Sequence, residues 1–148
     1  MKSVFVICLL ALISVYQINA RVLSRCDLAR EFKQKGEFTD EDLPNWVCIA
    51  EHESHGNTSA IRGPGWDGSF DYGLFLLSDN YWCNKGTPGK QCNVACESLL
   101  LDNVQASVDC AKVVYYYHGF TAWQSWYAFC NGKLPDLSEC FTNSSSVL

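Results

Sequence analysis

Beyond residue 20 the chain has no apolar run approaching the roughly 20 residues that cross a bilayer, so no membrane anchor is expected in the mature protein. It also lacks a Gly-x-Ser-x-Gly elbow and a phosphate-binding P-loop, which leaves serine-hydrolase and nucleotide chemistry without support. Zinc fares no better, because Cys92-x3-Cys96 has no Cys/His pair downstream and His118 stands alone. Positive charge is scarce too: from Arg21 onward ten Lys and Arg face sixteen Asp and Glu. That balance gives no footprint for nucleic acid or an anionic membrane surface. No low-complexity linker divides the chain, and residues 21–148 are expected to form one compact, monomeric unit without a cofactor.

What is present begins with Met1-Lys2, the apolar run Val4 to Val15, and Ile18-Asn19-Ala20. This three-part layout predicts a secretory signal peptide over 1–20 with cleavage after Ala20, hence a secreted, extracellular protein. Of nine cysteines, Cys8 leaves with that segment. The remaining even number in a small exported chain predicts four disulfides, although spacing alone leaves about 105 pairings open.

Ser24-x-x-Asp27 has the form of a capping box opening a first helix through Leu28 and Phe32, which Gly36 ends. Thr39 and Asp40-Glu41-Asp42 suit a short turn before Pro44, and Asn45 to about Ser54 reads as a second helix closed by Gly56. From Ile61 to Phe75 the glycines and Asp67-Gly68 signal an antiparallel hairpin meander. A Gly/Pro/Lys loop over 84–93 is tied by Cys83, Cys92 and Cys96. A third helix is expected at about Val104 to Tyr117, and a fourth with Thr121 as N-cap and Trp123, Trp126 and Cys130 on one side. The tail after Cys140 is Ser-rich and expected to be loose. The predicted class is α+β: a mostly helical lobe (about 21–58 and 103–141), a small β lobe (about 59–102), and a cleft between them.

Glu53 ends the apolar stripe Trp46, Ile49, Ala50, so it falls at the rim of the buried face. Desolvation there favours the protonated form that a general acid needs; the plainer alternative is a solvated glutamate at a helix end. Asp71 follows the hairpin signal in Phe70-Asp71-Tyr72-Gly73, where a turn with polar neighbours would keep it ionised or simply use it as a backbone cap. His52 and His55 form an i, i+3 pair without an obvious third ligand, so they read as surface histidines and no metal site is assigned. Tyr81, Trp82 and Trp123 could stack on pyranose rings, with core packing as the alternative; Trp46 and Trp126 read as core. Asn57-Thr58-Ser59 and Asn143-Ser144-Ser145 make Asn57 and Asn143 glycosylation candidates.

Taken together, Asn45-Trp46-Val47-Cys48-Ile49-Ala50-Glu51-His52-Glu53-Ser54, Asp67-Gly68-Ser69-Phe70-Asp71-Tyr72-Gly73, Tyr81-Trp82-Cys83-Asn84, Ala106 to Lys112 and Ala122 to Trp126 resemble the c-type (chicken-type) lysozymes, particularly those of insects. The resemblance covers nearly all of the mature chain and implies a lysozyme-like fold. It also implies the pairs Cys26–Cys140, Cys48–Cys130, Cys83–Cys96 and Cys92–Cys110. Lysozyme is the type case of paired-carboxylate glycoside hydrolysis. By resemblance Glu53 protonates the leaving oxygen, and Asp71 acts as nucleophile or stabilises the oxocarbenium-like transition state, with retention of configuration. Tyr81, Trp82 and Trp123 match sugar-binding aromatics, and the Ala122 backbone matches an acetamido contact. The implied substrate is the β-1,4-linked N-acetylmuramic acid/N-acetylglucosamine polymer of bacterial peptidoglycan.

The chain departs from the family after Asp-Tyr-Gly, where Gln-Ile-Asn is usual: Leu76 replaces the Gln and Ser78, counted here with the substrate-binding positions, replaces the Asn. Gly63-Pro64-Gly65 also lacks the asparagines that often neighbour the aspartate. Both changes predict a less firmly held Asp71 and activity that is lowered or moved in pH. The first reading is a secreted muramidase, antibacterial or digestive. Its rival from another class is a lysozyme-fold glycan-binding protein with weak or no catalysis. A calcium-dependent regulatory subunit like α-lactalbumin is disfavoured, because Glu97 to Asn103 lacks the dense aspartates of a hard-cation site.

Overall fold

The computed structural model describes residues 21–35 and 38–142. The expected signal peptide, Gly36, and the glycosylation candidate Asn143 lie outside the described residues. Helix α1 spans Arg25–Gln34 and starts as the capping-box pattern requires: the Ser24 hydroxyl accepts from the Asp27 N–H, and the Asp27 carboxylate accepts from the Ser24 N–H and hydroxyl. Leu28, Ala29 and Phe32 form its fully buried face.

Helix α2, Leu43–Ser54, begins two residues before the expected start. Pro44 sits in its first turn, where the missing N–H has no intrahelical partner to lose. The turn before it is held by the Thr39 side chain, which accepts from Asp42 N–H, and by the Thr39 carbonyl, which accepts from Leu43 N–H. At the other end His55 takes a left-handed conformation (φ 53°) and Gly56 follows at φ 73°. Gly56 is required there: a Cβ would lie 2.2 Å from the Leu23 carbonyl oxygen, where the N-terminal segment crosses α2.

A three-stranded antiparallel sheet follows, β1 (Ile61–Arg62), β2 (Asp71–Tyr72) and β3 (Leu77–Ser78), in that spatial order. It extends past the expected hairpin to residue 78. Its register sets Arg62 and Ser78 on either side of Asp71. Two more short strands, β4 (Cys83–Asn84) and β5 (Val94–Ala95), pair in parallel across the 84–93 loop. A 3-10 turn at Cys96–Leu100 leads to α3, Gln105–His118, which buries Ser107, Val108, Cys110, Ala111 and Val114.

The expected fourth helix is different. Gly119–Ala122 is a 3-10 turn, Trp123 is extended, and Trp126–Cys130 is a π-helix closed by Asn131 N–H donating to the Trp126 carbonyl. Thr121 caps nothing that follows it. Its hydroxyl donates back to the His118 carbonyl at 2.7 Å, satisfying an orphan acceptor at the end of α3. A last 3-10 turn spans Ser138–Cys140.

The core centres on Trp46, whose ring meets Phe38, Phe75, Tyr115, Phe120 and Trp123 at centroid distances of 4.3–5.7 Å. Among the described residues four disulfides form, Cys26–Cys140, Cys48–Cys130, Cys83–Cys96 and Cys92–Cys110, the pairing that the resemblance implied. The first two tie the helices to the C-terminal turns, and each constrains the unfolded chain over a long loop. Among the described residues no helix is long and apolar enough to cross a membrane.

Gly73, between β2 and β3, tests this packing. Its φ is +76°, and a Cβ there would sit 2.3 Å from the Leu99 carbonyl oxygen and 3.0 Å from the Ser107 hydroxyl. Gly73→Ala is expected to destabilise the fold by more than about 1 kcal/mol. Thermal unfolding checks it, and an unchanged midpoint would contradict this account of the turn.

Candidate active site

The last turn of α2 and the three-stranded sheet face each other across a cleft of about 830 Å³. Glu53 reaches it from the helix. Trp46, Ile49 and Ala50 are buried on the same stripe, so the helical period leaves the Glu53 side chain at the edge of the core, 8% exposed. Asp71 reaches it from β2 and is 25% exposed. It sits in a strand rather than on the turn expected for it, and its strand is pinned at one end by a reciprocal pair: Phe70 N–H donates to the Asp79 carboxylate (3.0 Å) and Asp79 N–H to the Phe70 carbonyl (2.9 Å). Asp79 in turn pairs with Lys85 at 2.7 Å.

The two carboxylates are joined by a residue that the sequence reading passed over. Arg62 on β1 donates through Nη1 to Glu53 Oε2 (3.1 Å), and through Nε and Nη2 to Asp71 Oδ2 (3.2 Å each). The signal was present in the chain, since Arg62 is the sole Lys or Arg between Glu53 and Asp71. What the sequence withheld was the register that sets Arg62 opposite Asp71.

Burial raises the Asp71 pKa above the ordinary carboxylate value. The Arg62 charge and hydrogen bonds oppose that rise, the Glu53 carboxylate adds to it, and a hydrogen bond from the Ser78 side chain pulls it down. Asp71 is thus not the polar, unperturbed group expected of a turn residue. It is a partly desolvated carboxylate that depends on its neighbours to stay ionised.

The expected sugar contacts divide into two groups. Ser78, Trp82, Ala122 and Trp123 line the cleft with the carboxylates. Trp123 does so while belonging to the core: it is 5% exposed, its ring stacks edge-on against Trp46, and its Nε1 donates to the Phe75 carbonyl at 3.0 Å. Tyr81 is 65% exposed and lies outside this lining, in an adjoining groove with Trp82, Tyr117 and His118. Trp46 falls in the core as read, and Trp126 is half-buried against it, with its Nε1 donating to Asn45 Oδ1 at 2.7 Å.

Other lining residues were not anticipated, among them Leu76, His52 and Phe129. Leu76 occupies a left-handed turn position (φ 46°), an uncommon setting for a bulky side chain, and places an apolar group on the cleft wall beside Ser78. His52 stacks on Phe129 at 4.4 Å and 9°, and both rings line the cleft next to Glu53. Among the described residues no three His, Cys, Asp or Glu side chains converge in a way that could hold a metal ion. Asn57 uses its side-chain oxygen to accept from the Ser59 N–H and hydroxyl.

Residues 21–140 match the C-type lysozyme/alpha-lactalbumin family. The chain is 46% identical over 123 residues to a lysozyme of Bombyx mori, covering 82% of this chain and 88% of that protein. It is 43% identical over 137 residues to a lysozyme of Hyalophora cecropia, covering 92% and 98%. Among solved structures, recombinant canine milk lysozyme in its apo form superposes with a TM-score of 0.70 at 40% identity, covering 80% of this chain and 95% of that one. The matched region contains both cleft carboxylates and all eight paired cysteines, and the chain belongs to the C-type lysozyme/alpha-lactalbumin family.

Proposed function

We propose that this protein is a secreted muramidase that hydrolyses β-1,4 bonds between N-acetylmuramic acid and N-acetylglucosamine in bacterial peptidoglycan, with retention of configuration. Lysozyme-type glycoside hydrolysis is supported by the family and by relatives named lysozyme over most of the chain. The observation that carries the finer reading is the pair of carboxylates in one cleft, one almost enclosed at the edge of the core and one partly exposed on a strand, both within reach of a single guanidinium. Retaining hydrolysis wants its carboxyls close together, about 5–5.5 Å, so that the second can attack the sugar directly.

In this mechanism Glu53 gives a proton to the glycosidic oxygen as the bond to the anomeric carbon breaks. Asp71 attacks that carbon from the opposite face, and Arg62 engages its Oδ2, which leaves Oδ1 as the attacking atom. Glu53 then takes a proton from water, whose oxygen displaces Asp71 and regenerates both groups. Trp82, Trp123 and the Ala122 backbone line the wall where the sugar rings would lie, and Tyr81 extends that surface into the adjoining groove. Residues 21–148 would act as one monomeric lysozyme-like domain released from a signal peptide over 1–20. The acidic balance of the chain fits digestion of bacteria better than charge-driven attack on anionic membranes.

One observation favours the rival reading of a glycan-binding protein with little turnover: Arg62 occupies an oxygen of each carboxylate. Glu53→Gln separates the two. For the enzyme, clearing of bacterial cell walls is expected to fall by roughly 10²–10⁴-fold, with binding to N-acetylglucosamine oligomers retained. Wild-type protein that binds these oligomers but clears no walls at any pH would overturn the muramidase reading.

Tyr81 provides a second check. Tyr81→Ala is expected to raise KM for long oligomers several-fold with kcat little changed, the pattern of lost uniform binding. An equal loss in kcat would show that Tyr81 acts at the reacting bond instead.

A further inference from the structure

We propose that Arg62 is a positioning residue for hydrolysis: a cross-strand clamp that holds the Asp71 carboxylate by one oxygen and yields the Glu53 oxygen to the incoming glycosidic bond. The inference rests on the muramidase reading and starts from what surrounds Asp71. On β3 its register partner is Ser78, whose short side chain also accepts from the Asn80 N–H at 3.2 Å. Leu76, next along the cleft wall, has no polar group to offer. The sheet therefore gives Asp71 little side-chain support from one neighbouring strand. On β1 the register partner is Arg62, and cross-strand partners on one face come within side-chain reach.

The geometry of the guanidinium suits this task. Its donors form a rigid fork. Nε and Nη2 both converge on Asp71 Oδ2, so the carboxylate is fixed in direction while Oδ1 stays outside the Arg62 bonds. The third donor, Nη1, spans to Glu53 Oε2. A glycosidic oxygen that approaches Glu53 at Oε2 must replace Nη1 there, whereas Oε1 lies outside the Arg62 bonds. Glu53 is held by one Arg62 donor and Asp71 by two, so a ligand at Glu53 Oε2 has a single bond to displace while the two-donor contact to Asp71 persists.

The charged groups facing Asp71 are Arg62 from β1 and Glu53 from α2, with Ser78 as a hydrogen-bond donor from β3; His52 and His118 line the same cleft. Burial and Glu53 favour the protonated acid, and Arg62 is the strongest opposing influence. Removing Arg62 leaves burial unopposed by a cation, so Asp71 takes up its proton at a higher pH. Because the nucleophile must be ionised, the acidic limb of the pH–rate profile moves up with it.

The experiment compares wild type, Arg62→Gln and Arg62→Lys. Each is followed by cell-wall clearing across pH and by carbon NMR titration of the Asp71 carboxyl without substrate. Arg62→Gln is expected to displace both the acidic limb and the Asp71 titration upward, and Arg62→Lys to restore much of each. An Asp71 titration and acidic limb that stay in place in Arg62→Gln would overturn the proposal, as would a loss of rate that is uniform at every pH. If wild type clears no walls, the muramidase reading fails separately, and the carboxyl titration still decides whether Arg62 holds Asp71.

Discussion

Trp46 is enclosed by aromatic rings from the segment before α2, the β2–β3 turn, α3 and the turns that follow it, and this enclosure sets where the chemistry can occur. A large aromatic side chain buries about 150–250 Å², and its fixed contacts leave α2 one rotation about its axis. Glu53, seven residues on, is then carried to the edge of the core and can point only into the cleft. The Cys48–Cys130 bridge secures the middle of the same helix to the π-helix, and Trp123 joins the box while its Nε1 holds the Phe75 carbonyl. Phe75 belongs to the turn between β2 and β3, so the core that aims Glu53 also anchors the sheet that bears Asp71.

The site on this frame is asymmetric in its supports. Glu53 is held by packing, which arises from the helix itself. Asp71 is held by polar neighbours on two short strands and through Asp79 at the strand end. Leu76 and Ser78 reduce the polar supply from one side, and Arg62 adds a cation from the other. Burial lifts the Asp71 pKa, and the Arg62 guanidinium, with a smaller contribution from the Ser78 hydrogen bond, opposes that rise. On the proposed reading, the two Arg62 bonds to Asp71 offset the support that Leu76 and Ser78 are expected to withhold.

Local physics made much of this legible beforehand. The capping box at Ser24, the apolar stripe of α2 and the stripe of α3 depend on neighbours three or four residues apart, and each helix lies within two residues of its expected bounds. Glu53 could be placed at a rim for the same reason. The disulfide pairing was legible through family resemblance and not through spacing. Arg62 was not, because strands of two residues joined by a long loop carry no register signal of their own. The region after α3 was misread because Thr121 has the composition of a cap, while its hydroxyl is used by the preceding carbonyl. Leu76 shows the same limit: it closes a turn in left-handed conformation, its N–H donating to the Gly73 carbonyl at 3.1 Å, where a bulky side chain gives no turn signal.

The central claim is that Asp71, held by Arg62, remains a working nucleophile. Mass spectrometry of the Glu53→Gln protein after exposure to a 2-fluoro glycosyl fluoride of an N-acetylglucosamine disaccharide tests it most directly, because the good leaving group removes the need for the acid and the fluorine slows release. The account predicts a covalent glycosyl adduct on the peptide containing Asp71, absent in the Asp71→Asn variant. A protein that binds the disaccharide yet forms no adduct, or forms one at another residue, would contradict it.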